Sequence, residues 1–456
     1  MKTLLPHQIE DAQFLAASPG VKGCFSGMGS GKTLTALEAV DLATQDDDET
    51  HVIIVGPPIS LFMWKEEFEE HLGLDAQILK TGKTPIDPLA GAWVMSYEIA
   101  TTRKEELKQL GAKVLICDES HALKNTKAKR TKAILGRHGL VEACAYSFLL
   151  TGTPVTRYND DIFSFMCRAG AAQLKDKIGK VDMARFQLRY CITQKKTFSK
   201  FQKFPTVVTV GNRNTEELNE MLFAGGMAVR RELADVWAAM PDLTINHLQV
   251  RLDADAELKQ LLKGLEKQTM NQIREDIGNK DEHLATIRRK LGVAKVKHSV
   301  SEIVDRIDAG IKPILVGAWH REVIDALVVG LNAAKVSNMV IDGRTSSSNK
   351  QLAQNRFNEG SIDVVIAQIA AAGVSLNLQG GSHIICVETD WSPAIQSQFY
   401  ARCHRLGQQS NVHVDVFESD TKLDKAVRKI NATKRAGQAT IMEQALLEDR
   451  RCGVNF

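Results

Sequence analysis

The chain has 456 residues, roughly three times a typical domain, which fits two large α/β domains or three small ones. Hydrophobic residues at 44% and charged residues at 25% are ordinary globular usage and argue against a largely disordered chain. No apolar run reaches the roughly 18 residues of a membrane span, which argues against an integral membrane protein, and a net charge of +3 announces no nucleic-acid binder while still permitting a local basic channel.

The N-terminus, M-K-T-L-L-P-H-Q, lacks an apolar core run and is not expected to be a secretory leader. From there to about residue 155, short apolar runs alternate with helical patterns. Strands are predicted at Val21–Phe25, His51–Val55, Ala92–Met95, Val114–Cys117 and Ser147–Leu150, and Leu34, Leu37 and Val40 mark a helix after Lys32. The acidic run at 46–49 reads as a solvated turn. Residues 156–300 read as mostly helical, with dense mixed charge over 257–297 in the pattern of long amphipathic helices. A second α/β block is predicted over 301–420, with strands at Ile314–Val316, Met339–Ile341, Asp363–Ala367, His383–Val387 and Val412–Phe417. Residues 421–456 read as a helical, charged, peripheral segment. Short continuous apolar runs suit parallel strands buried on both faces, so the fold class is α/β built from βαβ units. The eight cysteines are scattered without a C-x-x-C pair, which favours reduced thiols over a zinc site or a disulfide framework.

The first strand runs into S-G-M-G-S-G-K-T at 26–33 and then into a helix. Strand, glycine-rich loop and helix form the phosphate-loop context: backbone N–H groups of Gly27, Gly29, Ser30 and Gly31 turn toward phosphate oxygens, and the helix N-terminus adds partial positive charge. Lys32 is expected to reach the β- and γ-phosphates, and Thr33 to offer its hydroxyl to magnesium. The strict pattern has glycine where this chain has Ser26. The strand Val114–Cys117 runs into D-E-S-H at 118–121, which supplies the carboxylates such a loop needs. Asp118 is expected to hold magnesium and Glu119 to deprotonate the attacking water, so the reaction is hydrolysis. His121 either couples this site to Thr151 or Gln408, or caps its own turn.

With these motifs in place, the sequence resembles helicase superfamily two and, within it, the Swi/Snf-type ATPases. L-L-P-H-Q at 4–8 resembles the adenine-reading element, with Gln8 as its amide. V-G-P-P-I-S-L-F-M-W at 55–64, S-Y-E at 96–98, D-E-S-H-A-L-K-N at 118–125 and L-L-T-G-T-P at 149–154 follow in the family's order. R-R at 230–231 precedes M-P at 240–241, without the family's usual lysine. I-D-G-R-T at 341–345, A-G-V-S-L-N-L at 372–378 and D-W-S-P-A-I-Q-S-Q-F-Y-A-R-C-H-R-L-G-Q at 390–408 continue the match; Ala372 and Ser375 stand where the family has glycine. R-R-K-L-G-V-A-K at 288–295 places the chain nearest the annealing-helicase branch. The resemblance implies two RecA-like parallel-sheet lobes with a helical insertion between them, ATP and magnesium as cofactors, and a DNA-dependent ATPase that tracks double-stranded DNA.

Gln398, Arg402 and Arg405 lie at i, i+4 and i+7, the spacing of one helix face. Two guanidiniums there suit a triphosphate, since each forks onto two oxygens, and an arginine so placed is worth about 10³–10⁵ in rate. Motif matching offers Ser60, Ser96, Thr151, His320, Thr345 and Asn377 as contacts to nucleic-acid phosphates, independent of base sequence. Trp64 and Tyr97 belong to the same set, with core packing as their favoured reading. Q-K-K-T-F-S-K-F-Q-K-F at 194–204 is either a basic stripe facing DNA or a strand with one wet and one buried face, and the spacing favours the strand. The shared ATP motifs leave open a strand-separating DNA or RNA helicase, an ATP-gated nucleic-acid clamp, or the motor of a larger assembly. An intracellular, monomeric motor without membrane attachment is expected, cytoplasmic if bacterial or viral.

Overall fold

The structure is a computed structural model. It describes residues 3–45, 50–58, 60–197, 205–232, 236, 240–270, 272, 273, 276, 282–369, 376–390 and 392–432. The acidic run at 46–49, residues 198–204 of the lysine–phenylalanine stretch, Ala372 to Ser375, Trp391 and residues 433–456 therefore lie outside the described residues. The chain divides into two compact units, the first running to Val236 and the second from Trp237 to Ala436.

The first unit is a parallel sheet. Its strands are β1 (Gly20–Cys24), β2 (Val52–Gly56), β3 (Ala76–Leu79), β4 (Ala92–Ser96), β5 (Val114–Cys117), β6 (Tyr146–Leu150) and β9 (Ala228–Val229), in the order β3-β4-β2-β5-β6-β1-β9. All five strands predicted here from apolar runs are present. The edge strands β3 and β9 carried too short a signal to read. Side chains alternate between two cores, as the period of two requires. Val52, Ile54, Val94, Ile116 and Phe148 face α1 (Pro6–Ala16), α2 (Lys32–Thr44) and α3 (Leu61–Leu72), packing on Leu15, Leu37, Val40, Trp64 and Phe68. Ile53, Val55, Trp93, Leu115 and Leu149 face the opposite core, with Phe163, Phe186 and Tyr190. Each such fully buried aliphatic contributes about 1.5–3 kcal/mol, so this two-sided burial is what holds the sheet.

Residues 156–300 contain the expected helices, including Phe163–Ala169, Ala171–Ile178, Met183–Tyr190, Thr215–Leu222, Ala256–Glu266 and the start of the long helix Glu282–Asp308. Their described residues also contain four strands. The antiparallel pair β7 (Cys191–Lys196) and β8 (Thr206–Asn212) stands apart from both parallel sheets. By contrast, β9 adds to the first sheet beside β1, and β10 (Leu243–Gln249) joins the second. In β7 only Cys191 is buried, so Gln194 to Lys196 form a strand wet on both faces, without the buried face expected of it.

The second unit is a six-stranded parallel sheet, β10-β15-β14-β11-β13-β12, with β11 (Ile314–Ala318), β12 (Asn338–Ile341), β13 (Val364–Gln368), β14 (His383–Cys386) and β15 (Val412–Glu418). Glu282–Asp308 packs on it through Val296 and Ile303. Its buried Lys295 pairs with Asp424 at 2.8 Å and donates to the Phe417 carbonyl at 3.0 Å, so the charge is compensated. Residues 422–432 are helical and pack Leu423, Ala426 and Val427 against Leu284, Ile287 and Leu291. Among the described residues no helix is long and apolar enough to cross a membrane, all seven cysteines are free thiols, and no cluster of metal-ligating side chains occurs.

Candidate active site

A parallel sheet delivers every strand-to-helix loop to one edge, which is where such folds bind ligands. In the first unit the glycine-rich loop follows β1, Ser60 follows β2, Ser96 ends β4, Asp118 follows β5 and Thr151 follows β6. These five motifs predicted from this part of the sequence thus share one edge.

The loop is wound by Gly29 and Gly31, whose φ angles of 79° and 82° lie in the left-handed region. A side chain at Gly31 would be strained by its left-handed φ, and its Cβ, 2.2 Å from the Gln8 amide nitrogen, would push that amide aside. Lys32 begins α2 and folds back over the loop, donating to the carbonyls of Ser26 and Gly27 at 2.9 Å each. Burial lowers the Lys32 pKa, opposed by Cys24, Glu119 and Asp118, so its ammonium lies close to the carboxylates of β5. The buried Ser30 hydroxyl has no partner within the protein. Gln8 donates to the Gly31 carbonyl at 3.1 Å and accepts from the Leu5 N–H at 2.8 Å, while the His7 ring lies 3.1 Å from the Ser30 carbonyl. Thr33 occupies the first turn of α2, half-buried.

Asp118 is held from both faces of the sheet. Trp64, from α3, donates its indole N–H to Oδ2 at 2.9 Å, and the Glu119 N–H donates to Oδ1 at 2.9 Å. Tyr97, from the opposite core, donates to the Asp118 carbonyl at 2.7 Å. Burial, reinforced by the Glu119 charge, raises the Asp118 pKa to about 6. Glu119 itself has φ 49° and ψ 48°, a left-handed conformation costing a non-glycine residue about 1–3 kcal/mol and typical of functional positions. Its carboxylate lies 3.2 Å from His121 Nδ1, which also lies 3.2 Å from the Thr151 hydroxyl. Of the alternatives for His121, coupling to Thr151 is the one observed. Gly152 follows, so close to the loop that a Cβ would meet Met28 at 2.9 Å and the Lys32 ammonium at 3.6 Å.

The residues fit a nucleotide with its divalent ion: among the described residues Lys32 bonds to loop carbonyls, the buried Ser30 hydroxyl has no partner, and each oxygen of the buried Asp118 carboxylate accepts one hydrogen bond. Ser60 and Ser96 are buried instead. Ser60 donates to the Pro57 carbonyl at 2.9 Å, and Ser96 caps the helix Tyr97–Thr102 by accepting from the Ile99 N–H at 3.3 Å.

In the second unit, Gln398, Arg402 and Arg405 do not share a helix face. The helix Pro393–Tyr400 carries Gln398 and stops before both arginines. Its bonding tightens to three-residue steps at Arg402 N–H to Phe399 (3.2 Å) and Cys403 N–H to Tyr400 (3.1 Å), and Gly407 turns left-handed at φ 96°. The Gln408 amide then pins the turn by donating to the carbonyls of Gln379, Gly381 and Cys403 at 3.0–3.2 Å. The two guanidiniums still converge, because each donates Nη1 to the Leu376 carbonyl at 3.4 Å. His320 lies 2.6 Å from the buried Glu388 carboxylate, which also accepts the N–H groups of Trp319 and His320. Arg288, from the R-R-K-L-G-V-A-K run, stacks 5.2 Å over the Trp319 ring and donates to the Thr389 carbonyl. Thr345 closes the Asp342–Arg344 turn through the Val340 carbonyl at 3.1 Å, and the Asn377 N–H donates to Gln354 at 2.8 Å.

Three functional features escaped sequence reasoning. Trp64 and Tyr97 are core residues, as favoured, yet each also spends its one polar atom on Asp118. Arg230 donates to the Phe25 carbonyl at 3.0 Å. Arg231 docks on the loop and α1. Only the R-R dipeptide signalled those last contacts.

A chain with this fold and this strand edge is a helicase-like ATPase. The SNF2-related domain matches residues 7–293 and the helicase conserved C-terminal domain matches residues 297–407, so the chain belongs to the SNF2-related family. Among its relatives is the SWI/SNF-related matrix-associated actin-dependent regulator of chromatin subfamily A-like protein 1 homolog of Caenorhabditis elegans, 27% identical over 91% of this chain and 58% of that protein. Another is the DNA annealing helicase and endonuclease ZRANB3 of Mus musculus, 26% identical over 92% of this chain and 39% of that protein. The chain thus spans only about 39–58% of the length of these relatives. Among solved structures, the Sulfolobus solfataricus SWI2/SNF2 ATPase core in complex with dsDNA is similar at 19% identity and a TM-score of 0.43, over 98% of this chain and 95% of that one.

Proposed function

We propose that this protein is an ATP-dependent double-stranded DNA translocase that remodels DNA or protein–DNA complexes, acting inside the cell as a monomeric motor. The observation that carries the ATP half is the grouping of Lys32, Asp118, Glu119 and the Glu119–His121–Thr151 chain at one strand edge. Lys32 exchanges the Ser26 and Gly27 carbonyls for phosphate oxygens, at little net cost, because one set of acceptors replaces another. Asp118 and Thr33 would hold magnesium, which supplies charge neutralisation to the phosphates when bound. Glu119 takes the proton of the attacking water, and His121 orients that carboxylate and relays its state to Thr151. Gln8 selects adenine when its amide turns from Gly31 to the base. The role proposed for Arg402 and Arg405 is to stabilise the charge that develops on the phosphates.

The DNA half is supported by family membership and by relatives named for chromatin regulation and DNA annealing. Contacts through Ser60, Ser96, Thr151, His320, Thr345 and Asn377 would be to backbone phosphates and carry no sequence preference. Several of these side chains are engaged inside the protein, Ser60 with the Pro57 carbonyl and Ser96 with the Ile99 N–H, and would have to exchange those partners for phosphate. The test is an ATPase titration with duplex DNA, single-stranded DNA and RNA at fixed salt, beside triplex displacement and forked-duplex unwinding. Duplex stimulation with triplex displacement is expected. Unwinding without displacement marks a strand-separating helicase, and binding without turnover marks a clamp.

A further inference from the structure

Ser26 stands where the strict phosphate-loop pattern has glycine, and its surroundings are built around its hydroxyl. Ser26 Oγ donates to Asp11 Oδ2 at 3.3 Å and accepts the Arg231 N–H at 3.1 Å. Arg231 Nε closes the ring by donating to Asp11 Oδ1 at 3.1 Å, and its Nη2 donates to Glu10 at 3.0 Å. The backbone bonds in parallel, Gly27 N–H to the Arg231 carbonyl at 2.7 Å and Phe25 N–H to the Val229 carbonyl at 2.8 Å. Ser26 and Asp11 are each only 1% exposed.

A buried carboxylate is costly unless its partners are fixed, and burial does raise the Asp11 pKa against the pull of Arg231. An apolar contact would pack three segments together more cheaply. What the polar ring adds is direction. Asp11 lies on α1, the helix that also brings His7 and Gln8 to the Ser30 and Gly31 carbonyls. The loop is therefore splinted at both ends by one helix, and the ring holds the end that Lys32 must release when phosphates arrive.

We propose that Asp11, Ser26 and Arg231 are positioning residues that keep the front of the phosphate loop in its nucleotide-receiving shape. The triad rests on the ATP-site reading above. Its loss weakens nucleotide capture and leaves the chemical step alone, because the ring includes neither Asp118 nor Glu119 and meets Lys32 only through the Ser26 backbone carbonyl.

The experiment compares Ser26→Ala, Asp11→Asn and their double variant with Lys32→Ala and with Phe148→Leu, a core truncation in the same sheet. A fluorescent ATP analogue reads affinity, steady-state ATPase with duplex DNA reads KM and kcat, and thermal melting reads stability. Each triad variant should raise Kd and KM about tenfold, the size of one lost buried hydrogen bond, with kcat at saturation within about twofold of wild type. The double variant should be no worse than the weaker-binding single one, since both cut the same ring. Phe148→Leu should lower the melting temperature without moving KM. Unchanged KM in both single variants, or a fall in kcat at constant KM, overturns the triad while Lys32→Ala still abolishes binding. If Lys32→Ala binds nucleotide normally, the ATP-site reading falls and the triad with it. Should Ser26→Ala fail to fold, Asp11→Asn, which keeps volume and an acceptor, decides alone.

Discussion

Asp118 owes its usefulness to two aromatic residues that look like packing. The Trp64 ring is fully buried, and its N–H reaches across from α3 to donate to Asp118 Oδ2. Trp64→Phe keeps the ring and deletes that donor. It should raise the magnesium concentration for half-maximal ATPase about tenfold while the melting temperature stays near wild type. Glu119→Gln keeps shape and the αL backbone and removes the base, so nucleotide binding should persist with turnover lost, as equilibrium binding beside single-turnover hydrolysis will show. Lys32→Ala should weaken nucleotide binding and abolish turnover, because it removes the ammonium folded over the Ser26 and Gly27 carbonyls. These positions were legible because spacing alone marks a phosphate loop and an Asp-Glu pair. Trp64 and Tyr97 were half legible: burial can be read from an apolar pattern, but the single hydrogen bond that turns a core residue into a support for Asp118 cannot.

Among the elements, the helix Pro393–Tyr400 shows why periodicity misled. Side chains at i, i+4 and i+7 share a face only while the helix lasts, and the Gln408 amide, distant in spacing terms, captures the chain into turns after Tyr400. The arginines converge anyway, through Leu376. In the first unit, the helices Met183–Tyr190 and Thr215–Leu222 are tied by Glu217, which accepts from Arg189 Nε at 2.8 Å and from the Tyr190 hydroxyl at 2.6 Å. The Arg189 hydrogen bonds hold the Glu217 carboxyl at about 2, below its ordinary 4.5. A depressed carboxyl stabilises above its unfolded pKa and loses that contribution as pH falls through the folded one. The melting-temperature advantage of wild type over Glu217→Gln should therefore be constant above pH 4.5 and close between about 4.5 and about 2.

The second unit carries its own candidate residues for the chemistry, Arg402 and Arg405, and each can be tested by itself. Arg405→Ala, in the second unit, should leave nucleotide affinity within about threefold and lower DNA-stimulated turnover by about 10³ or more, measured by binding titration and steady-state ATPase. Normal turnover of that variant with DNA present would show that the second unit takes no part in the chemistry. Read by itself, the chain determined ten of its strands, the glycine-rich loop after β1, the Asp-Glu pair after β5 and the family. Continuous apolar runs, glycine spacing and short motifs are local, and local signals survive without a fold. The edge strands β3, β9 and β10, the end of the helix before Arg402, the hold of Trp64 and Tyr97 on Asp118, and the Asp11–Ser26–Arg231 ring were decided only by folding. Each joins residues far apart in the chain, such as Asp11 and Arg231, and no periodicity links positions that meet only when a sheet closes over them.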